Sequence, residues 1–252
     1  MTFAGDLVPL TVLLTGFGPF PGAPFNPTTA LAQRLAARRR PAFADLTRVA
    51  HVFRTSYAAV DQELPALTKR VRPDVVLLFG VATRTNYLRI ETRARNARSP
   101  LFPDASGARP SAGVIAVGEP ATRMGRAPHR ILLAAVRAQR LPARLSQSAG
   151  RYLCNFAYWR ALAATDGSRA PLVQFIHVPT VRRGPVLAGA GRRQLTSADL
   201  ERAGEAILMA LVVAARGRQR QRPPVRAQPA PAAVPVEAQP TLKRERRQAV
   251  AG

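Results

Sequence analysis

The single cysteine of the chain, Cys154, lies where a nucleophile would be useful. Ser148 and Gly150 precede a helical pattern, so Cys154 is expected near the first turn of a helix. At that position the helix dipole favours the thiolate, the form of cysteine that attacks carbonyl carbons. Free backbone N–H groups of the same turn could stabilise an oxyanion. The alternative is that Cys154 is a small buried apolar residue without chemistry.

Two further residues could complete a nucleophilic site. His177 ends an apolar strand just before a proline, where catalytic side chains project from α/β sheets, and is the best-placed base. Glu91 lies in an alternating segment in which period two places Arg89, Arg93 and Arg95 on its face. A carboxylate kept ionised by arginines could orient a histidine, as the acid of a Cys/His/acid triad does. The alternatives are a structural histidine and a solvated face of salt bridges.

A proline-braced loop, residues 15–28, joins the first predicted strand to the first helix, which is a common ligand position in α/β proteins. Its two closely spaced glycines suggest a dinucleotide loop, but the third glycine is missing and prolines remove two amide donors. The loop presents three aromatic residues and one amide: Phe17, Phe20, Phe25 and Asn26. It predicts either an apolar slot for a small flat ligand or a hydrophobic plug over the core.

Short apolar runs alternate with helical patterns over residues 10–215, which predicts an α/β fold with a sheet flanked by helices. Strands are predicted at residues 10–15, 46–53, 74–80, 87–96 and 172–178. Helices are predicted at residues 28–39, 57–71, 128–139, 151–164 and 197–215.

The chain of 252 residues carries a formal net charge of +24, from 38 basic and 14 acidic residues. One domain is expected over residues 10–215, after a short N-terminal extension, residues 1–9. Residues 216–252 are rich in Pro, Ala, Gln and Arg, contain no aromatic residue and carry +7, so they are predicted to be a disordered basic tail. The remaining +17 belongs to residues 1–215, so the predicted domain is itself basic.

Several classes of protein are not expected. No apolar run approaches the ~20 residues of a membrane-spanning helix, and the first residues lack the pattern of a secretory signal. A single cysteine forms no internal disulfide and suits the reducing cytoplasm, where we expect the protein. Three scattered histidines and one cysteine form no metal-ligand cluster, and nothing indicates an organic cofactor.

The charge of +24 also raises the alternative of a nucleic-acid-binding protein. The chain has no zinc-finger pattern, no basic helix with a heptad zipper and no aromatic RNA-binding strand signature. The basic tail would at most make weak, non-specific contacts with phosphates. Nucleic-acid binding is therefore the less favoured function.

Taken together, the candidate residues resemble the pyroglutamyl peptidase I family, the C15-type cysteine peptidases. The resemblance lies within residues 10–215 and rests on four blocks in the family's order and at about its spacings: Thr15-Gly16-Phe17-x-Pro19-Phe20 with Asn26-Pro27, Glu91-x-x-Ala94-x-Asn96, Ser148-Ala149-Gly150-x-x-x-Cys154-Asn155, and Phe175-Ile176-His177-Val178-Pro179.

The resemblance implies a single-domain α/β/α sandwich with a mostly parallel or mixed sheet, cytosolic and forming homo-oligomers. It implies release of an N-terminal pyroglutamyl residue from peptides, with Cys154 as nucleophile, His177 as base and Glu91 as its acid partner. A pyroglutamyl residue is a neutral lactam ring, so its pocket should be apolar and narrow. For the substrate-binding residues, we expect Phe17 and Phe20 to flank the ring, Tyr152 and Leu153 to complete the wall, and Asn26 to support the loop or touch substrate.

Two departures from the family motif leave a second hypothesis open. The family carries a Gly-Gly-Arg run after the strand that ends at Gly80, whereas this chain has Ala82-Thr83-Arg84-Thr85. After Glu91 it has Thr92-Arg93 in place of a basic and then an aliphatic residue. Because the loop after Gly80 shapes the family's substrate pocket, the alternative is a pseudoenzyme or binding protein on the same scaffold. The intact trio of cysteine, histidine and glutamate argues for the enzyme.

Overall fold

The structure is a computed structural model, and it describes residues 9–111, 113–164, 170–182 and 194–221. These residues belong to the first of two compact units, Met1–Gln221, and the second unit, Arg222–Gly252, lies outside the described residues. The strands are β1 Leu10–Phe17, β2 Leu46–Phe53, β3 Val75–Val81, β4 Leu88–Glu91, β5 Arg93–Arg95, β6 Thr122–Met124, β7 Ala143–Ser146 and β8 Leu172–Val178. The α-helices are α1 Pro27–Ala37, α2 Tyr57–Val71, α3 His129–Ala138, α4 Leu153–Ala163 and α5 Ser197–Arg220.

Six of the described strands form the central sheet in the order β2-β1-β3-β8-β4-β7. The first four are parallel, and β4 then runs antiparallel to β8 and parallel to the edge strand β7. Every residue of β8 is buried, and so are all but the last of β3. Strands covered on both faces are continuously apolar, which is why the sequence shows these two as unbroken hydrophobic runs.

Helices cover both faces of the sheet and produce two apolar layers. One layer contains buried residues of α1, α3 and α5, and the other contains those of α2 and α4. Trp159 and Tyr158 of α4 are the largest fully buried side chains. The predicted α/β fold is confirmed as a mixed sheet between two layers of helices. None of the described helices is both long and apolar enough to cross a lipid bilayer.

The strand predicted over residues 87–96 is two strands in different sheets. β4 ends at Glu91, Thr92 donates from its backbone N–H to the Ser146 carbonyl (2.7 Å), and β5 then pairs with β6 in a separate two-stranded sheet. Neither β6 nor β7 was predicted, because both are short and carry few buried apolar residues. The break at Thr92 means that the arginines of β5 do not continue the face on which Glu91 lies.

Helix α5 continues to Arg220, so the boundary predicted between residues 215 and 216 falls inside this helix. Arginine, alanine and glutamine all favour helix, and Arg216 forms an ion pair with Asp45 (2.7 Å). Arginines in the last turn also complement the negative end of the helix dipole. The predictions for residues 1–8 and for the tail beyond residue 221 concern residues outside those described.

The junction of β1 and α1 is the tightest backbone approach in the loop of residues 15–28. A Cβ atom on Gly16 would lie 2.3 Å from the carbonyl oxygen of Thr28, whereas one on Gly18 would first meet the Phe53 carbonyl oxygen at 3.5 Å. The Thr28 hydroxyl also accepts from the backbone N–H of Phe17 (3.0 Å). Glycine at position 16 is therefore required by space, because α1 begins directly against the end of β1.

The close contact between Gly16 and α1 predicts different losses of stability for two neighbouring substitutions. Gly16→Ala should lower the free energy of unfolding by about 2–3 kcal/mol, because the backbone of α1 has to move away from β1. Gly18→Ala is the matched control and should cost less than about 1 kcal/mol, since its Cβ makes an ordinary contact. Urea unfolding of both variants measures the difference, and equal costs would contradict the packing argument.

Candidate active site

Cys154 and His177 both lie next to Gly80, near the end of β3. Gly80 is the register partner of His177 in the parallel pairing of β3 with β8. A Cβ atom on Gly80 would lie 2.8 Å from the Cys154 sulfur and 2.7 Å from Cζ of Phe175. The missing side chain of Gly80 therefore leaves the space that the thiol occupies next to the histidine strand. The sequence indicated Gly80 only as the end of a strand.

Glu91 contacts His177 through a short hydrogen bond within the core. The two are neighbours because antiparallel pairing of β4 and β8 sets Arg89 opposite His177 and Glu91 opposite Phe175. Oε1 of Glu91 lies 2.7 Å from Nδ1 of His177. The glutamate is wholly buried and the histidine is 4% exposed, so water does not compete for this bond. The structure thus brings together all three residues predicted to be catalytic.

Arg89 completes this group, and it contacts both partners of the pair. Its Nε lies 3.1 Å from Oε1 of Glu91 and one of its terminal nitrogens lies 3.0 Å from Nδ1 of His177. Arg93, which was predicted to share the glutamate's face, reaches the Gln147 carbonyl instead (2.9 Å). Arg95 also lies on β5, in the other sheet. The prediction that three arginines flank Glu91 is therefore wrong for Arg93 and Arg95, because the chain changes sheet after β4.

The position of the imidazole proton follows from the two contacts at Nδ1. This nitrogen cannot both donate to Glu91 and accept from Arg89, and an ionised carboxylate can only accept. The shorter, charge-assisted contact is the one to the carboxylate, which assigns the proton to Nδ1. Nε2 of His177 is then unprotonated and can accept a proton, which is the tautomer a general base needs.

The backbone of Glu91 is fixed by two side chains that sequence analysis did not single out. The Tyr158 hydroxyl donates to its carbonyl oxygen (3.1 Å) and the Gln174 amide nitrogen donates to the same oxygen (2.9 Å). Both side chains are fully buried, so the end of β4 is held from α4 and from β8. Oε2 of Glu91 is buried and has no hydrogen-bond partner among the described residues.

Cys154 is the second residue of α4, as the helical pattern predicted, but burial opposes the expected effect on its thiol. The pKa of Cys154 is raised to about 12, chiefly by burial and also by the nearby carboxylate of Glu91, whereas Arg89 opposes both. Burial also lowers the pKa of His177, with Glu91 opposing and Arg89 reinforcing that effect. Burial thus favours a neutral thiol and a neutral imidazole at rest, and the stabilisation of the thiolate by the helix dipole stays a prediction.

The residues predicted to bind substrate fall into two groups. Phe20 and Tyr152 are half-buried, with ring centroids 6.3 Å apart, and their contact with substrate stays a prediction. Phe17 and Leu153 are 2% and 1% exposed and belong to the core layer of α2 and α4. Asn26 is the N-cap of α1 and braces the loop, since its amide nitrogen donates to the Gly18 carbonyl (3.1 Å) and its amide oxygen accepts from the Thr28 hydroxyl (2.8 Å).

Tyr57, at the start of α2, extends the aromatic group of Phe20 and Tyr152. Its ring lies 6.0 Å from that of Tyr152 and 5.1 Å from that of Phe156, both in edge-to-face geometry. Its hydroxyl is buried without a hydrogen-bond partner in the described part of the chain. The sequence predicted the helix that begins at Tyr57 but not the contact of its ring with Tyr152, because only the packing of α2 against α4 brings the two rings close.

Two asparagines of the sequence motifs hold the segment that follows β5. Asn155, next to the cysteine, accepts from the Arg95 backbone N–H (2.8 Å) and donates to the carbonyls of Arg95 and Ala97. Asn96 accepts from the N–H groups of Ile115 and Ala116. Asn155 therefore fixes the β5 segment against the first turn of α4, and Asn96 fixes it against residues 115 and 116.

The loop after β3 begins next to the end of β8. The backbone N–H of Ala82 donates to the Val178 carbonyl (2.8 Å), and that of Thr85 donates to the Ala82 carbonyl (3.2 Å). Residues 83–86 line a cavity of about 330 Å³ together with Pro179 and Thr180. The loop that departs from the family motif therefore borders the strand that carries His177. Within the described ranges, no group of three or more metal-ligating side chains occurs.

Comparison with known proteins shows similarity over most of the chain. The model of the Pyroglutamyl peptidase family matches residues 10–217. The chain belongs to the pyroglutamyl peptidase family. It is therefore related to cysteine-type peptidases, as the four motifs predicted.

Relatives and solved structures show the extent of the likeness. The pyrrolidone-carboxylate peptidase of Clavibacter michiganensis is 32% identical over 169 residues, covering 67% of this chain and 78% of that protein. That of Thermococcus kodakarensis is 32% identical over 171 residues, covering 68% and 81%. The crystal structure of pyroglutamyl peptidase I from Bacillus amyloliquefaciens superposes with a TM-score of 0.70 at 25% identity, covering 81% of this chain and 97% of that one. The enzyme from Thermococcus litoralis shares the fold with a TM-score of 0.72, at 24% identity and with coverages of 87% and 99%.

The raised pKa of Cys154 predicts how its thiol responds to pH. The rate of alkylation by iodoacetamide should rise about tenfold per pH unit between pH 7 and pH 10, because only the thiolate reacts and its population is far from saturation. Cys154→Ala gives the background, since the chain has no other cysteine. A rate that levels off below pH 8 would show a resting thiolate paired with imidazolium and would contradict the assignment of a neutral pair.

Proposed function

We propose that this chain removes an N-terminal pyroglutamyl residue from peptides, with Cys154 as nucleophile, His177 as general base and Glu91 as the acid that orients the base. The observation that carries the proposal is that Cys154 and His177 both lie next to Gly80, with the histidine bound to Glu91 at 2.7 Å. Nucleophile, base and orienting group are the three parts that thiol acyl transfer requires.

The first step is proton transfer coupled to attack. Because burial favours the neutral form of both groups, Nε2 of His177 takes the thiol proton as the sulfur bonds to the pyroglutamyl carbonyl carbon. Glu91 stabilises the imidazolium that forms, and Arg89 keeps that carboxylate paired. Backbone N–H groups of the first turn of α4 face no side-chain cap and are placed to stabilise the oxyanion.

The second step divides the peptide and then regenerates the enzyme. The imidazolium of His177 gives its proton to the departing amine as the C–N bond breaks, which leaves a thioester between the pyroglutamyl group and Cys154. Water, deprotonated by the now neutral His177, attacks the thioester. The carbon–sulfur bond breaks, pyroglutamate leaves, and the proton returns to the sulfur.

Recognition of the ring is assigned to the aromatic group beside the cysteine. A pyroglutamyl residue has no free amine and no charge, so an apolar wall with few polar atoms suits it. Phe20, Tyr152 and Tyr57 supply such a wall, and the buried Tyr57 hydroxyl is a polar atom without a partner among the described contacts. A lactam that satisfies this hydroxyl would be favoured over a ring that cannot.

The remaining parts of the proposal concern the setting of the enzyme. A free cysteine nucleophile requires a reducing compartment, so we expect the cytoplasm. The family relationship favours a homo-oligomer. A catalytically impaired pseudoenzyme is not supported by any contact at the site, because the three residues of the trio are in place and the altered loop after Gly80 stays outside their hydrogen bonds.

Hydrolysis of a fluorogenic pyroglutamyl amide tests the proposal. The wild-type chain should release the fluorophore, and Cys154→Ala should reduce kcat at least about 1,000-fold because no other side chain can form the acyl-enzyme. Both proteins should unfold at similar temperatures. A Cys154→Ala variant with wild-type turnover would contradict the nucleophile, and a folded wild type without turnover would contradict the activity.

A second variant separates the role of Glu91 from that of the cysteine. Glu91→Gln should lower kcat by about 100- to 10,000-fold with little change in KM, because an amide cannot select the Nδ1-protonated tautomer as a carboxylate does. Glu63→Gln serves as the control, since Glu63 is paired with His51 of β2 rather than with His177. A rise in KM as large as the fall in kcat would indicate that the substitution disrupts the pocket instead.

A further inference from the structure

We infer that Arg89 is a positioning residue that sets the pH below which the His177–Glu91 pair takes up an inactivating proton. This inference rests on the proposed function for its activity readout. Its basis is a contact shared by two residues: the guanidinium of Arg89 lies 3.1 Å from Oε1 of Glu91 and 3.0 Å from Nδ1 of His177. A single positive charge thus touches both groups that could bind the proton.

The location of Arg89 makes this charge effective. Its side chain is 25% exposed, whereas those of Glu91 and His177 are 0% and 5% exposed, so the guanidinium reaches from the surface into a site without water. Charges interact more strongly there than at the surface, because less solvent screens them. Arg89 holds this place because it is the antiparallel register partner of His177, two residues before Glu91 on β4.

Among the described residues, few other groups can influence the pair. The titratable side chains near it are Arg89 and Glu91 on β4 and Cys154 and Tyr158 on α4, and the buried carboxylate of α5, the other helix packed against β8, is Asp199. β3 contributes only apolar residues and Gly80. Burial raises the pKa of Tyr158 and of Cys154, so both are neutral near pH 7, and Asp199 is engaged in the capping box of α5. The charges that decide the proton affinity of the pair are therefore those of Arg89 and Glu91.

The two charges act in opposite directions. The carboxylate of Glu91 attracts a proton to the imidazole, and burial together with Arg89 repels it, so the pKa of His177 lies below its usual value. Turnover needs His177 in its neutral form before the sulfur attacks. Removing the positive charge raises the proton affinity of the coupled pair, whichever of its atoms takes the proton. The acid limb of the pH–rate profile should then move to higher pH.

The test compares kcat/KM against pH for the wild type, Arg89→Gln and Arg89→Lys, with the fluorogenic pyroglutamyl amide. Arg89→Gln should move the acid limb up by about one pH unit, the lower end of the effect of an adjacent charge. Arg89→Lys keeps the charge and should return the limb most of the way to its wild-type position. Arg89→Met, which retains a long side chain, replaces Arg89→Gln if that variant does not fold.

Arg93→Gln is the matched control. It removes the same charge from the adjoining strand β5, but its guanidinium contacts Gln147 and not the pair, so the limb should move by less than about 0.2 pH unit. An equal shift in Arg93→Gln and Arg89→Gln would overturn the inference, because it would reflect net charge alone. An acid limb unmoved or lowered in Arg89→Gln, or moved equally in Arg89→Lys, would also overturn it.

A measurement without substrate keeps this inference separate from the proposed function. Nitrogen NMR of histidine-labelled protein follows the His177 ring, identified by its loss in His177→Asn, as pH falls. The proton should enter the pair at a higher pH in Arg89→Gln than in the wild type and in Arg93→Gln. If the wild type fails to hydrolyse the amide but this shift is present, the proposed function is wrong and the role of Arg89 stands. If the enzyme is active and the NMR titration is unchanged in Arg89→Gln, the role of Arg89 is overturned and the proposed function stands.

Discussion

The buried carboxylate of Glu91 is the constraint on which the site depends. Burying a charged group costs free energy unless hydrogen bonds and an opposite charge compensate for the lost hydration. Removing one of those partners leaves the cost uncompensated. Here His177 and Arg89 compensate the charge on Oε1 of Glu91. Tyr158 and Gln174 fix the backbone carbonyl of the same residue. Glu91 can be held in this way because β4 enters the sheet antiparallel to β8, which sets acid and histidine strand side by side.

The second constraint is space at the end of β3. Because Gly80 has no side chain, the thiol of Cys154 can lie against the backbone next to His177, and the same gap accommodates Phe175. This close packing also explains the electrostatics of the nucleophile: desolvation of the half-buried Cys154 favours its neutral thiol, so activation has to come from the base during attack. Fold and mechanism are therefore linked through one glycine.

Much of the scaffold could be predicted because it is encoded locally. The bounds of β2, β8 and α2 agree with the sequence patterns, since apolar runs and helical spacing are short-range signals. The trio of Cys154, His177 and Glu91 was found because each carries chemistry and lies in a motif. Pairing between distant segments could not be predicted: the change of sheet at Thr92, the short strands β6 and β7, and the packing that brings Tyr57 to the site all depend on tertiary contacts. The raised pKa of the cysteine could not be predicted either, because a helix terminus is visible in the sequence and burial is not.

The central claim is that Cys154 attacks the pyroglutamyl carbonyl, and affinity labelling tests it most directly. A pyroglutamyl chloromethyl ketone should inactivate the protein with one label per chain, located on Cys154 by peptide mass mapping. Excess free pyroglutamate should slow the labelling, since it competes for the same slot. Inactivation with the label on another residue, or full activity with Cys154 completely labelled, would contradict the account.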